Sequence, residues 1–187
     1  MKRPPNRVKR GPDGDLALLF RALAFAAHKH RDQRRKDAEA SPYINHPIAL
    51  AEVLAGEGGI ADAEVLAAAL LHDTIEDTAT TAAELRAGFG ERIAAMVEEV
   101  TDDQNLPKTE RKRLQIEHAA GLSPGAKLVK LADKICNLRD VAERPPAKWD
   151  LRRRQEYFEW AKRVIDPLRR ANPKLEAAFD AAYQRKP

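Results

Sequence analysis

One short segment of the chain groups side chains that are suited to metal chemistry. His72 and Asp73 follow directly on the apolar run that ends at Leu71, and Glu76 and Asp77 come one helical turn later. Burying an imidazole and a carboxylate is unfavourable unless the two are paired or bound to a metal ion. Carboxylates this close repel one another, and a divalent cation relieves the repulsion. A hydrogen-bonded pair of His72 and Asp73 without a metal is the competing interpretation.

Two further polar residues join the candidates from more distant parts of the chain. His46 precedes Pro47, which favours an extended backbone at the histidine and places the imidazole at the mouth of a helix. Asp133 lies within a helical pattern, on the side away from its leucines and isoleucine, and shares that polar face with Lys130 and Asn137.

Helical periodicity dominates the chain, and no segment alternates apolar and polar residues for long enough to predict a sheet. Pro47 is expected at the first position of the second helix, Asp62 at the cap of the third and Thr80 or Thr81 before the fourth. The remaining helices are predicted over these ranges: 15–31, 91–101, 108–119, 148–170 and 173–184, with one more beginning at Ser123-Pro124 and broken by Pro145-Pro146. The third helix is apolar nearly all round, which predicts a central, buried position in an all-α, single-domain fold.

Composition and charge narrow the class of protein. The 187 residues are 43% hydrophobic, which suits one folded domain, and no apolar run reaches the length of a membrane span. The net charge of +4 resides in residues 1–14, with five cations and one anion, whereas residues 15–187 carry 28 of each. We therefore expect a basic flexible tail (1–14), a neutral domain (15–187) and no strong attraction to nucleic acid. The single cysteine, Cys136, excludes internal disulfides, and the absence of a secretory signal favours the cytoplasm.

The arrangement H…HD…D, at His46, His72-Asp73 and Asp133, resembles the HD-domain metal phosphohydrolases. Four longer stretches narrow the resemblance to the small alarmone hydrolases, the stand-alone relatives of the (p)ppGpp hydrolase domain of RelA/SpoT enzymes, including the metazoan SpoT homologues. They are RRKDAEASPYINHP (34–47), LLHDTIEDT (70–78), FGERIAAMVEEVTDD (89–103) and KLVKLADKICNLRDV (127–141). The resemblance covers about residues 15–185 and implies a single HD-domain helical bundle.

The resemblance also implies a metal site and catalytic residues. One divalent ion, Mn²⁺ in this family, would be held by four residues: His46, His72, Asp73 and Asp133. Nitrogen and oxygen donors without a thiolate suit manganese, and also iron or zinc. Glu76 and Asp77 are expected to position or activate the attacking water, and Asn137 to orient the substrate or the water.

Substrate contacts are implied in the same way. Arg35 is expected against the base, Lys36 near the base or a phosphate, and Lys108 and Arg111 at the pyrophosphate. Tyr157 is a candidate contact to ribose or phosphate. The alternatives are surface charges for Lys108 and Arg111, and a core position for Tyr157 beside its aromatic neighbours.

The function implied is metal-dependent hydrolysis of the 3′-pyrophosphate of guanosine alarmones, with (p)ppGpp as a small-molecule substrate. An HD phosphohydrolase acting on another ribose-phosphorylated nucleotide is one alternative, and a nucleotide-binding HD protein without turnover is another. The oligomeric state stays open. One departure from the family pattern is the absence of the expected glycine before Ser41, which could stiffen that loop and alter base preference.

Overall fold

The computed structural model describes residues 12–187, which form ten α-helices and contain no β-strand. The first five are α1 (Pro12–Lys29), α2 (Asn45–Glu52), α3 (Ala63–Leu71), α4 (Thr74–Asp77) and α5 (Ala82–Phe89). The second five are α6 (Glu91–Val100), α7 (Lys108–His118), α8 (Pro124–Glu143), α9 (Leu151–Ile165) and α10 (Pro173–Tyr183). A π-helical turn, Val53–Glu57, extends α2. The predicted all-α fold is confirmed.

Several predicted helix starts are confirmed by the hydrogen bonds that cap them. Asp62 precedes α3 and accepts a bond from the Glu64 N–H, and Thr81 precedes α5 and accepts one from the Glu84 N–H. Ser123 caps α8 in the same way. Each cap satisfies a backbone donor that has no partner within its helix.

Four predicted boundaries were wrong. α1 begins at Pro12, so residues 12–14 are helical; the rest of the predicted tail, 1–11, lies outside the described residues. α2 begins at Asn45, because a turn at Pro42–Asn45 already leads into it, and Pro47 is its third residue. α3 ends at Leu71, two residues before Asp73, the end that the segment ADAEVLAAALLHD (61–73) predicts. α9 spans only Leu151–Ile165, since Asp150 caps its start and Pro167 cannot continue the hydrogen-bond ladder.

The third helix lies at the centre of the bundle, as predicted. Every residue of α3 except Glu64 is buried, and the helix packs against α1, α2, α6 and α8. α8 is the other extensively buried helix, and its apolar stripe includes Leu131, Ile135 and Leu138. Side chains at the end of α3 and in the middle of α8 are therefore attached to the most buried part of the fold. Among the described residues, no helix is long and apolar enough to cross a membrane.

Candidate active site

Three of the predicted ligands converge in the interior of the bundle. His46 lies in the first turn of α2, His72 follows the last residue of α3, and Asp133 lies in the middle of α8. One donor atom from each lies within 4.8 Å of the others, and the two imidazole centroids are 5.3 Å apart. His46 Nε2 is 3.2 Å from Asp133 Oδ1. This arrangement could hold a metal ion.

The hydrogen bonds of His72 fit a metal ligand. Its Nδ1 lies 2.8 Å from the carbonyl oxygen of Ala69, to which it can donate, and this leaves the Nε2 lone pair facing the site. Nε2 is buried and makes no hydrogen bond within the described chain, although Asp73 Oδ2 is only 2.8 Å away. The lone pairs of His72 Nε2 and Asp73 Oδ2 repel each other at this distance unless a proton or a metal ion supplies positive charge. Burial lowers the pKa of His72, but the carboxylates of Asp73 and Asp133 outweigh it and raise the pKa to about 9.

Asp73 contacts His72 but does not join the cluster that the other three predicted ligands form. It is not in the group whose donor atoms meet, and its Oδ2 accepts a 2.5 Å hydrogen bond from the Tyr43 hydroxyl. Burial, followed by the charge of Asp73, raises the pKa of Tyr43, so the hydroxyl stays a donor. Asp73 as the fourth ligand remains a prediction. The sequence reasoning missed Tyr43, which lies thirty positions before its partner.

Asp133 is held by two neighbours on its own helix. Lys134 Nζ donates to Oδ2 at 2.8 Å, and Asn137 Nδ2 donates to Oδ1 at 2.5 Å. Lys134 is itself buried and lies 4.6 Å from the ring centre of Trp160. Both side chains are buried, so the pair is weakly screened. Burial raises the pKa of Asp133, but the charge of Lys134 and the contact with His46 outweigh it and lower the pKa. The sequence reasoning also missed Lys134.

The structure separates the environments of the two acids predicted to handle water. Glu76 is half-buried and accepts hydrogen bonds from the backbone N–H of Asp102 at 3.0 Å and from Gln104 Nε2 at 2.9 Å. Burial is the main cause that raises the pKa of Glu76 to about 7, opposed by the Asp102 N–H. Asp77 is exposed and accepts a hydrogen bond from Gln33 at 2.8 Å.

Three cavities that share lining residues surround these groups. The inner cavity, of about 160 Å³, contains all four predicted metal ligands, Glu76 and Asn137. The outer cavity, of about 780 Å³, meets the inner one at Glu76 and Gln115. A side cavity of about 400 Å³ shares Glu76 with both and contains Arg35 and Asp77. Glu76 is therefore at the junction of the three.

The predicted substrate contacts lie around these cavities. Arg35 borders the inner and side cavities and donates to Asp140 at 2.6 Å and to Asn137 at 3.4 Å. The other four border the outer cavity: Lys36, Lys108, Arg111 and Tyr157. Tyr157 is packed between Trp149 and Trp160, with ring centroids 5.4 and 5.3 Å away. Tyr157 therefore lies at the predicted site and also packs among its aromatic neighbours, as the alternative interpretation predicts.

Comparisons with known proteins agree with this geometry. Residues 22–160 match the family profile described as the HD domain, so the helical bundle and its histidine–aspartate cluster define a protein of the HD-domain class.

Within that class, two relatives are similar over nearly their full lengths. The mouse guanosine-3′,5′-bis(diphosphate) 3′-pyrophosphohydrolase MESH1 is 56% identical over 91% of this chain and 95% of its own. The human protein of the same name is 55% identical, over 92% of this chain and 96% of its own. A solved structure, described as a metazoan orthologue of SpoT that hydrolyses ppGpp, superposes with a TM-score of 0.88 at 48% identity, over 90% of this chain and 95% of that one. The chain belongs to the MESH1 family of HD-domain proteins.

Proposed function

We propose that the protein hydrolyses the 3′-pyrophosphate of ppGpp and pppGpp, releasing pyrophosphate with GDP or GTP. The observation that carries the proposal is the position of Glu76, where the ligand cluster of the inner cavity meets the cation-lined outer cavity. A phosphorylated substrate held by the outer cations can present one phosphorus atom at that junction. The activity named for the mouse and human relatives supports the same reaction. The cytoplasmic location stays a prediction from the sequence.

Glu76 is the proposed general base. A carboxyl group whose pKa is about 7 is ionised in a large part of the molecules near neutral pH and binds a proton readily when water is activated. The hydrogen bonds from Asp102 and Gln104 hold the carboxylate at the cavity junction, so little reorganisation is needed during the reaction. Asp77, exposed and held by Gln33, is proposed to orient the attacking water.

The proposed metal ligands are His46, His72, Asp133 and, completing the set, Asp73. The Nε2 of His72 lies beside Asp73 without a hydrogen bond, and its Nδ1 lies against the carbonyl oxygen of Ala69, an arrangement that fits a metal-binding imidazole. We propose Mn²⁺ as the ion, because a nitrogen and oxygen donor set without thiolate suits it. A bound divalent ion supplies Lewis-acid chemistry, which polarises a phosphoryl oxygen and lowers the pKa of water.

The cations and Asn137 are proposed to position the substrate. Lys36, Lys108 and Arg111 border the outer cavity, where they can bind phosphate oxygens. Arg35 is held in place by Asp140, and its planar guanidinium offers a face for the base. Asn137 connects Arg35 to Asp133, so the base contact and the ligand cluster are joined through one amide.

The test begins with protein stripped of metal and resupplied with Mn²⁺, incubated with ppGpp while GDP and pyrophosphate are followed. Metal-dependent release of both products in equal amounts is expected. Zinc and iron in parallel reactions test the choice of metal. A panel of other ribose-phosphorylated nucleotides tests the substrate. Turnover of one of those with none of ppGpp, or tight nucleotide binding without any turnover, would contradict the proposal.

A further inference from the structure

The outer cavity holds more positive charge than the predicted contacts explain. Lys112 on α7 and Arg153 on α9 border it together with the three predicted cations, and neither borders the inner cavity. Neither Lys112 nor Arg153 forms an ion pair with a residue of the described chain. The cavity is also lined by five carboxylates, each of which has a partner within the protein. Glu156 pairs with Arg152 at 2.8 Å, Asp150 caps α9, and the other three accept hydrogen bonds: Glu76, Asp77 and Asp102.

Aromatic rings hold these two cations in place. Lys112 Nζ lies 4.8 Å from the ring centre of Trp160 and 5.9 Å from that of Tyr157. The Arg153 guanidinium lies 4.7 Å from the ring centre of Trp149. A ring face stabilises a cation without using its N–H donors, so both groups keep their hydrogen-bonding capacity for a ligand.

The cations are also close enough to repel one another. Burial lowers the pKa of Lys112, and the charges of Lys108 and Arg153 lower it further, opposed by the carboxylate of Glu156. Partial burial of the otherwise exposed Lys108 likewise lowers its pKa, followed by the charges of Arg153, Lys36 and Arg111. Like charges concentrated in one cavity favour a polyanionic ligand, because its binding removes the repulsion.

Resting on the proposed function, we propose that Lys112 and Arg153 form a subsite for the 5′-phosphate groups of the substrate. The scissile 3′-pyrophosphate must reach Glu76 at the junction with the inner cavity. Arg111 is connected to Glu76 through Gln104. Lys112 and Arg153 have no such connection within the described chain and lie against Trp160 and Trp149 on the wall of the outer cavity, so they are placed for the phosphates at the other end of the nucleotide. Affinity then rises with the number of 5′-phosphates, and these two residues determine how steeply.

The experiment uses guanosine 3′-diphosphates that carry zero, one, two or three 5′-phosphates. In the wild-type protein KM is expected to fall along the series, by about tenfold or more from none to three. In the Lys112→Met, Arg153→Met double variant this ratio is expected to approach one. Methionine keeps much of the aliphatic packing against the rings, and each substrate ratio cancels a general loss of activity. A ratio equal to that of the wild type would overturn the subsite.

Arg113→Met is the matched control. Arg113 lies on the same helix as Lys112, but it pairs with Glu110 and Glu117 and is not part of the outer cavity. Its KM series is expected to follow the wild type, and a flattened series would overturn the proposal by showing that any cation of α7 produces the effect.

A binding measurement separates this proposal from the proposed reaction. Dissociation constants for the four nucleotides are measured by calorimetry on metal-loaded, full-length Glu76→Gln protein, with and without the double substitution. If the wild type turns over none of them, the proposed reaction fails, while the Kd series still decides the subsite. A Kd that does not fall with added 5′-phosphates, or that falls equally in both proteins, would overturn it.

Discussion

The inner and outer cavities meet at Glu76, but the charged side chains of the two cavities lie in different environments. In the inner cavity the charged groups are largely buried and connected to protein partners, as Asp133 is to Lys134 and Asn137. In the outer cavity Lys108 and Arg153 are exposed, and neither pairs with a carboxylate of the described residues. The charged groups of the inner cavity are paired within the protein, whereas Lys108 and Arg153 in the outer cavity can pair with a ligand.

From this difference we expect the inner cavity to carry out the chemical step and the outer cavity to bind the substrate. Groups fixed in a buried site need little reorganisation when charge develops in a transition state, so they contribute mainly to kcat. Unpaired cations at an open cavity gain their interactions when an anion binds, so they contribute mainly to KM and to its dependence on salt. Substitutions in the two regions should therefore have different kinetic signatures.

The largest effect is expected from removing an inner ligand. His46→Ala should lower kcat/KM by about 10³-fold or more, because Lewis-acid stabilisation of several kcal/mol is lost with the ion. Steady-state kinetics and metal content, measured together, check this. A variant that lost its metal yet kept wild-type turnover would remove the chemical role assigned to the inner cavity.

Glu76→Gln is expected to come next, with kcat lowered by about 10²–10⁴-fold and the metal retained. In the wild type, kcat/KM should rise with pH along an acid limb, because the base must lose its proton; burial raises its pKa to about 7 when no metal is bound. A bound cation favours the carboxylate and moves this limb to lower pH. The pH profile of the two proteins checks the assignment, and an unchanged acid limb in the variant would assign it to another group.

Lys134→Met should have an intermediate effect, on metal affinity. Lys134 Nζ fixes one oxygen of Asp133, and loss of a group that orients a ligand lowers metal affinity by about 10–100-fold. Titration of stripped protein with Mn²⁺ measures this, with Lys134→Arg as the variant expected to recover part of the affinity. Equal affinity in all three proteins would leave Lys134 only a structural role.

The smallest effect is expected in the outer cavity. Lys108→Met should raise KM for ppGpp by about 3–10-fold and leave a weaker dependence of KM on salt, because one exposed phosphate contact is lost. Kinetics at low and physiological salt check both features. If kcat fell and KM stayed constant, the contrast between the two cavities would not hold at this position.

Much of the fold was predictable because its signals are local. The apolar run of α3 predicted a central helix, and Asp62 and Thr81 predicted helix starts, since caps act within a few residues. The start of α2 predicted from Pro47 was wrong, because the fixed geometry of proline fits anywhere in the first turn of a helix and does not locate the first residue.

The site was less predictable, because its contacts join distant segments. Spacing within one helical turn grouped His72 with Glu76, but nothing local connects Tyr43 to Asp73 or Arg35 to Asp140, which is 105 positions away. Packing decides those pairs. Nor do neighbouring acids reveal that Glu76 is half-buried while Asp77 is exposed.

The proposed metal ligands His46, His72 and Asp133 converge from three separate segments of the chain, which would link metal supply to the lifetime of the protein. An unfolded chain keeps these residues 26 and 61 positions apart, so it binds the ion far more weakly than the folded chain does. Free ion at a hundred times its Kd would add about 2.7 kcal/mol to the free energy of unfolding. The free energy of unfolding of a domain is typically roughly 5–15 kcal/mol, so this contribution is a substantial share of it. It would lower the unfolded population, which proteases can cleave, about a hundredfold. A shortage of the metal would therefore lower the amount of the protein as well as its activity.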